Sequence, residues 1–366
     1  MVNTNRIATY FFLLVIATPV TCDITGVELN QNLEENRHIP GYDQLSFMDK
    51  SKLYIRNFDA NFWGRGYLVK AYIAIKKDVF GVSPLPEKVV IGKEDWLFLA
   101  DYGAMDDCRN ARPFSQQQLD KIQQHLKGIA LTLHSSGIEF YVVVVPDKHT
   151  IYPEFLPDQV QKLRDASRLQ QLQTYLQGEK SFQFLNLTDT LLASKKYGQL
   201  YFKNESHWND LGTFIGYQKI LKMIQRDFHE VQVLNMSECR IEYGEEQDLD
   251  LMKLLGESTL YSEPTKRIYP PENNKIERVE SVTAIPPAKR FNANYAFRMI
   301  NPEVGYPNVL VYRDSFFGSM IPFFEKSFAQ STFIWTNNVD LEYAKDQSIQ
   351  LVLIEIAERH IDLLAD

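Results

Sequence analysis

Residues 138–145 read Ile-Glu-Phe-Tyr-Val-Val-Val-Val, and the run ends at Pro146. An apolar, β-branched run that does not alternate with polar residues is typical of a strand buried on both faces of a parallel sheet. A helix is predicted just before it, because Ser115 can cap an N-terminus, leucine and isoleucine recur at helical spacing up to Leu133, and Gly137 can end the helix. The strand and its helix predict a domain of the α/β class.

Strands and helices keep alternating on both sides of this run. Short strands are predicted at 89–92 and 96–99, a helix through Leu163 to Leu176, a strand at 182–187, a helix at 211–224, and strands at 309–312 and 351–356. This order predicts a three-layer α/β/α fold, with a mostly parallel sheet covered by helices on both faces. The alternation fails between residues 228 and 305, which we predict to be an insertion or loop region.

The N-terminal residues differ in character from the rest of the chain. An apolar run from Ile7 to Val20 has the length of the apolar part of a signal peptide and is on the short side for a membrane-spanning helix. At about 150 residues per domain, 366 residues would allow two or more domains. We predict a signal peptide or membrane anchor at 1–25, a helical lead-in at 26–84 and one α/β domain at 85–366.

The composition excludes several classes of protein. The chain carries 39 Lys and Arg against 47 Asp and Glu, a net charge of −8, whereas nucleic-acid-binding proteins need a surplus of positive charge. No HExxH, Walker or dinucleotide-binding glycine pattern occurs, so the sequence predicts neither a metal nor a cofactor.

The three cysteines form no CxxC pair. Cys22 lacks the small residue that usually precedes a lipidated cysteine. If residues 1–25 are removed, Cys108 and Cys239 remain, and they form either a disulfide or two free thiols.

The first candidate site residue follows the strand at 309–312. Ser315 stands where this strand turns into an apolar helix, so its hydroxyl is near the positive end of a helix dipole and near backbone N–H groups that can form part of an oxyanion hole. The flanking glycines of the G-x-S-x-G elbow of α/β-hydrolases are missing. Ser315 is therefore either a helix N-cap or a nucleophile.

The second candidate segment lies just ahead of the predicted helix at 211–224. Glu205 and His207 stand two residues apart, so in an extended segment their side chains point to the same side. The carboxylate could then accept from the imidazole Nδ1–H, as the acid of a catalytic triad does. The alternative is a loop histidine with an acidic neighbour by chance.

These segments, with several others in the same chain order, resemble the periplasmic alginate O-acetyltransferase family. Its catalytic domain is SGNH-hydrolase-like in a permuted order, with an Asp-x-His-Trp block before the serine block. The matching stretches are Glu35-Asn36-Arg37, Phe80 to Ser83, Val90 to Phe98, Val144 to Lys148, Tyr152 to Glu154, Phe202 to Trp208, Asp248 to Leu255, Tyr312 to Phe316 and Glu355 to Arg359. Ordered blocks are more specific than any one motif.

The resemblance implies that Ser315 is the nucleophile, His207 the general base and Glu205 the acid. The last residue is a departure, because the family usually has Asp there, and the longer Glu must fold back to reach the same nitrogen. No match is found for the extra oxyanion-hole residues of SGNH enzymes or for a C-terminal carbohydrate-binding module.

Three further residues would bind substrate if the resemblance holds. Trp208 would form a wall of the site, and Lys148 and Arg313 would contact an acidic sugar. The alternative for the two cations is that they are solvent-facing charges beside a strand end.

The resemblance implies an enzyme that transfers acetyl groups to hydroxyls of an exported bacterial polysaccharide, such as alginate, through an acetyl-serine intermediate. It would act in the periplasm, with the N-terminal segment as export signal or inner-membrane anchor, and receive acetyl groups from a membrane-embedded acyltransferase. Because the net charge is negative, an acidic polymer would need a local basic cluster near Ser315. Two alternatives stay open: a carbohydrate acetylesterase with the same triad, and a non-catalytic polysaccharide-binding or assembly subunit.

Overall fold

The computed structural model describes residues 4–25, 64–256, 261–279, 296–346 and 348–365. The chain folds into two compact units. The first comprises Met1–Pro86 with Met252–Tyr261, and the second comprises Glu87–Leu251 with Ser262–Asp366.

The described ranges contain β-strands, α-helices and several 3-10 helices. The strands are β1 (Val89–Ile91), β2 (Leu97–Leu99), β3 (Glu139–Val145), β4 (Gln183–Asn186), β5 (Arg240–Glu246), β6 (Glu263–Tyr269), β7 (Glu277–Val279), β8 (Phe297–Ile300), β9 (Asn308–Arg313), β10 (Gln330–Trp335) and β11 (Leu351–Ala357). The α-helices are α1 (Thr4–Thr25), α2 (Arg65–Ala74), α3 (Ala104–Cys108), α4 (Gln116–His134), α5 (Lys148–Ile151), α6 (Arg168–Tyr175), α7 (Thr188–Ser194), α8 (Asp210–Ile224), α9 (Asp250–Leu254), α10 (Ile321–Phe324) and α11 (Leu341–Asp346).

The second unit is built on a seven-stranded sheet in the order β4-β3-β11-β9-β10-β8-β7. The first five strands of this order are parallel, and β8 and β7 join one edge in antiparallel register. The prediction of an α/β fold with a mostly parallel sheet is confirmed.

Strand β3 shows why the valine run predicts this fold. Its side chains alternate between two separate hydrophobic cores, with Tyr141, Val143 and Val145 on one face and Phe140, Val142 and Val144 on the other, and all six are buried. Helices α4, α6 and α11 pack on the second face, and α7, α8 and α10 pack on the first. The strand has no polar face because helices cover both sides of the sheet.

The predicted helix at the start of the domain forms as expected. Ser115 caps α4, and its side chain accepts from the backbone N–H of Gln118. The side chain of Gln118 in turn accepts from the backbone N–H of Ser115. The helix predicted through Leu163 is shorter, because α6 begins at Arg168 behind the N-cap Ser167, and Leu163 lies exposed outside it.

Residues 228–305 differ from the insertion or loop region that we predict. Their described part contains β5 and β6, which pair as an antiparallel hairpin, and β7 and β8, which extend the main sheet. Strand β10 was also not predicted. Exposed charges along β5 and β7 hide the strand pattern, since edge strands are stabilised by pairing and not by a buried apolar face.

The first unit contains α1 and α2, followed by a π-helical turn at Ile75–Val79. Residues 26–63 of the predicted lead-in, with the Glu35-Asn36-Arg37 block, lie outside the described residues. Across the described ranges, no helix combines the length and the apolar character needed to span a membrane.

The cysteines are free thiols in this structure, so Cys108 and Cys239 take the second of the two predicted states.

Candidate active site

Two loops meet above the sheet and bring the candidate residues together. Strand β9 ends at Arg313, and Ser315 leads directly into the 3-10 helix Phe316–Met320. The other loop, residues 201–208, is closed by a bridge between Tyr201 and Trp208 and runs into α8. Ligands of open α/β sheets bind beside the carboxyl ends of the strands, which is where Ser315 lies.

The loop that carries His207 is a tight turn and not the extended segment that we predicted. The N–H of Phe202 donates to the carbonyl of His207 across it (3.3 Å). Asn209 then caps α8, with its Oδ1 accepting from the N–H groups of Leu211 and Gly212 (both 3.1 Å). The turn and the cap fix the backbone on both sides of the imidazole.

Glu205, His207 and Ser315 form a continuous hydrogen-bonded chain. His207 Nε2 lies 2.7 Å from Ser315 Oγ, and His207 Nδ1 lies 2.5 Å from Glu205 Oε1. The other carboxylate oxygen of Glu205 accepts from the backbone N–H of His207 at 2.6 Å. The longer Glu folds back over its own loop, so both of its oxygens hold the same histidine.

Burial and charge act against each other at this pair. Burial disfavours the imidazolium of His207, but the carboxylates of Glu205 and Asp250 outweigh it, and the pKa of His207 is raised. Burial also raises the pKa of Glu205; the His207 charge opposes this shift and the Asp250 charge adds to it. The imidazole therefore holds a proton more firmly than a free histidine does.

Asp314 fixes the turn that carries Ser315. Its two oxygens accept from the backbone N–H groups of Phe316 (2.8 Å) and Ala357 (2.7 Å), while its own N–H donates to Glu355 (3.1 Å). These bonds tie the end of β9 to the end of β11. The N–H of Phe316 is thereby already occupied, as is that of Gly318, which donates to the Ser315 carbonyl.

Trp208 does not form the wall that we predicted. Its side chain is buried, and the indole N–H donates to the carbonyl of Phe316 (3.0 Å) and to Ser319 Oγ (3.1 Å). Its ring meets Phe316 edge-on. Trp208 therefore packs inside the domain against the turn that follows Ser315.

Lys148 is neither a substrate ligand nor a solvent-facing charge, so both alternatives for it are wrong. It is 2 % exposed, and its ammonium donates to the backbone carbonyls of Phe202 (3.1 Å), Lys203 (3.0 Å) and Glu205 (2.8 Å). Burial lowers the pKa of Lys148 to about 8, although nearby carboxylates oppose that shift. Lys148 therefore holds the loop of residues 201–208 through three of its carbonyls.

Arg313 is also buried, at 4 % exposure, so it differs from both predicted states. Its guanidinium lies over the ring of Trp335, 4.6 Å from the centroid, and donates to the carbonyl of Asp314. A second buried arginine, Arg359, lies 5.2 Å from the Phe316 centroid and pairs with Asp147. Both arginines are thus committed to contacts within the protein itself.

Sequence reasoning did not assign a role to Asp250, the first residue of α9. Asp250 accepts from both the N–H (2.7 Å) and the hydroxyl of Ser206. Its only sequence signal is its place in the Asp248 to Leu255 block. Donor atoms of Glu205, His207 and Asp250 lie within 4.8 Å of one another, a spacing that could hold a metal ion. The hydrogen bonds within the group already occupy these atoms, which fits an orienting network better than a vacant ligand set.

The geometry suits nucleophilic acyl chemistry. A serine hydroxyl within hydrogen-bond reach of an imidazole, whose other nitrogen is held by a carboxylate, is the arrangement that activates serine as a nucleophile. The His207 side chain is 26 % exposed, so small molecules and water can reach this centre.

Sequence comparison places the chain beside acetyltransferase domains. The family described as "SGNH hydrolase-like domain, acetyltransferase AlgX" matches residues 89–288, just over half of the chain. The protein of Pseudomonas syringae pv. tomato named "Probable alginate O-acetylase AlgJ" is 28 % identical over 133 residues, which are 36 % of this chain and 32 % of that protein. Its namesake in Pseudomonas aeruginosa is 25 % identical over 212 residues, which are 56 % of this chain and 50 % of that protein. The chain spans between a third and half of the length of these relatives.

Comparison of structures gives the same fold. PatB1 of Bacillus cereus, solved with a sulfonyl adduct, superimposes with a TM-score of 0.55 at 14 % identity, covering 75 % of this chain and 94 % of that chain. At this identity the similarity concerns the fold alone. Together with the family match, it confirms the prediction of an SGNH-hydrolase-like domain.

Proposed function

The chain belongs to the ALGX family of SGNH hydrolase-like acetyltransferase domains, and from this premise we propose that it is a serine-dependent O-acetyltransferase acting on polysaccharide hydroxyls. The observation that carries the proposal is the chain of hydrogen bonds from Glu205 through His207 to Ser315. In this proposal Ser315 is the nucleophile, His207 the general base and Glu205 the orienting acid. The names of the AlgJ relatives point to alginate as the type of acceptor.

The proposed reaction has two steps that use the same imidazole. In the first, His207 Nε2 takes the proton of Ser315 as Oγ attacks the acetyl carbonyl of the donor; the bond from that carbonyl to the leaving group then breaks, and His207 returns the proton to the leaving group. In the second, His207 takes the proton of a sugar hydroxyl whose oxygen attacks the acetyl-serine. The Ser315 Oγ–carbon bond breaks, and the proton returns to Oγ.

The setting of the reaction is part of the same proposal. An exported polysaccharide would be acetylated in the periplasm, with residues 1–25 as the export signal, and a membrane-embedded acyltransferase would supply the acetyl groups. These points come from the family resemblance.

The direct test is an acetyl adduct on Ser315. Purified protein is incubated with 4-nitrophenyl acetate and examined by intact-mass and peptide mass spectrometry. We expect one added acetyl group that maps to Ser315, none in Ser315→Ala, and an unchanged adduct in Ser135→Ala, a serine at the end of α4. A folded wild-type protein without an adduct would contradict the proposal.

Hydrolysis of the acetyl-serine is the competing second step. The His207 side chain is partly exposed, so water can reach the acetyl-serine. The same acetylated protein is therefore given polymannuronate, a neutral glucan or buffer alone. Transfer of the acetyl group to a polymer supports the acetyltransferase, whereas release of free acetate at the same rate in all three samples would identify an acetylesterase.

A further inference from the structure

A second carboxylate, that of Asp250, lies beside the same edge of His207 that Glu205 holds. Asp250 Oδ2 is 3.9 Å from His207 Nδ1, and Ser206 Oγ contacts both atoms, donating to Oδ2 and lying 3.3 Å from Nδ1. Asp250 lies 43 residues beyond His207 in the chain, so only the fold brings the two together.

The two carboxylates hold two consecutive peptide units of the loop. Glu205 accepts from the N–H and the Nδ1 of His207. Asp250 accepts from the N–H and the hydroxyl of Ser206. Each acid thus uses one oxygen for the backbone and one for a side chain. The loop that carries the imidazole is therefore held by two separate acids, and removing one leaves the other bonded.

The charges around His207 come from several elements. Glu205 and Asp250 are the acids that face it, Arg359 from the 3-10 helix Glu358–Ala365 lowers its affinity for a proton, and Lys148 holds its loop. Asp250 is also the leading charge partner that stabilises the buried ammonium of Lys148. It therefore acts on both the imidazole and the lysine that supports the loop.

We propose that Asp250 is a positioning residue for the acyl-transfer reaction. Through Ser206 it holds the loop that aims the imidazole at Ser315, and its negative charge stabilises the imidazolium that forms when His207 takes the serine proton. In this reaction the proton moves only between Ser315 Oγ, His207 Nε2 and the leaving group. The inference rests on the proposed function.

The main experiment compares wild type with Asp250→Asn in two measurements. Hydrolysis of 4-nitrophenyl acetate gives kcat and KM, and NMR titration of the imidazole gives the pKa of His207 without any need for activity. We expect kcat to fall roughly 10-fold, the lower end of the effect of removing a partner that orients a functional side chain. KM should change little. The pKa of His207 should fall as well.

Two further variants separate position from charge. Ser206→Ala removes the hydroxyl link but keeps the Asp250 charge, so kcat should fall while the pKa of His207 changes little. Asp227→Asn is the matched control: its carboxylate accepts from Tyr141 (2.7 Å) on another part of the domain, and neither quantity should change.

An Asp250→Asn protein with the wild-type kcat and the wild-type His207 pKa overturns the proposal. If that variant does not fold, Ser206→Ala decides, because a wild-type kcat there shows that the hydroxyl bond from Ser206 to Asp250 does not position the imidazole. A wild-type chain that cleaves no ester contradicts the proposed function, yet the NMR titration still tests Asp250 by itself.

Discussion

His207 is the residue at which the pH dependence of the reaction should appear. In the proposed reaction it must be neutral to accept the Ser315 proton, and its pKa is raised above that of a free histidine because the carboxylates outweigh burial. We therefore expect kcat/KM for ester cleavage to rise with pH through that raised pKa and to level off above it.

The variant Glu205→Gln should move this profile. Without the carboxylate, the pKa of His207 falls, so the acid limb shifts to lower pH, and the plateau drops by roughly 10²- to 10⁴-fold because the imidazole loses its orienting acid. A pH–rate profile from pH 5 to 9 measures both changes. A profile identical to that of wild type would remove Glu205 from the proposed triad.

Reasoning from sequence reached the residues whose neighbours are close in the chain. Glu205 and His207 are two residues apart, and Ser315 follows a strand that is recognisable by itself. The roles of Asp250 and Arg359 could not be predicted, because both residues are distant from His207 in the chain and only the tertiary fold brings them to the site. Lys148 and Arg313 were misjudged for a related reason, since a charged residue at a strand end gives no sign that loop carbonyls or an indole ring will cover it.

At the scale of elements, α8 supports the site through its close approach to Trp208. Gly216 on this helix has so little room that an added Cβ would come within 2.9 Å of the Trp208 ring. Gly128 on α4 offers the matched comparison, because nothing lies within 4 Å of an added Cβ there.

The two glycines should therefore respond in opposite directions to alanine. Gly128→Ala should stabilise the protein by about 0.5–1 kcal/mol, the ordinary gain in a helix. Gly216→Ala should destabilise it by about 1–3 kcal/mol and lower kcat, because the displaced indole disturbs the turn below Ser315. Urea unfolding and ester cleavage measure the two effects. Equal stabilisation by both changes would show that the Trp208 contact is loose.

Strands at the sheet edge show where sequence patterns stop being informative. β3 was predictable because both of its faces are buried and all its inward residues are apolar. β7 has three exposed residues and exists because it pairs with β8. The residues between β7 and β8 contain no hairpin sequence, so no local pattern predicts that the two strands pair.

At the scale of the whole molecule, a group of buried charges ties β3 to the C-terminal 3-10 helix Glu358–Ala365. Glu358 accepts from the N–H of Asp147 (3.0 Å) and from the hydroxyl of Thr150 (2.6 Å). Burial raises the pKa of Glu358 to about 7. The folded protein then binds a proton here that the unfolded chain releases near pH 4.5, so stability is lost as the pH rises from about 4.5 to 7.

Glu358→Gln should remove this dependence on pH. A Gln can keep both accepted hydrogen bonds without ionising, so at pH 8 it avoids a penalty on the order of 3 kcal/mol. We expect the variant to be more stable than wild type at pH 8 and close to it at pH 4.5. Thermal unfolding at both values tests this, with the surface change Glu230→Gln as control. A difference from wild type that is the same at both pH values would contradict the argument.

Burial of Lys148 also bears on which atom of the protein becomes acylated. With a pKa of about 8, a lysine amine is partly uncharged in mildly alkaline solution and would attack an acetyl donor readily. The product would be an amide, which no sugar hydroxyl could cleave, so each such event would permanently inactivate one molecule. Three loop carbonyls and the rings of Trp96 and Phe98 enclose this amine. In the proposed reaction, this enclosure keeps the Lys148 amine away from the acetyl donor and leaves Ser315 Oγ as the atom to be acylated.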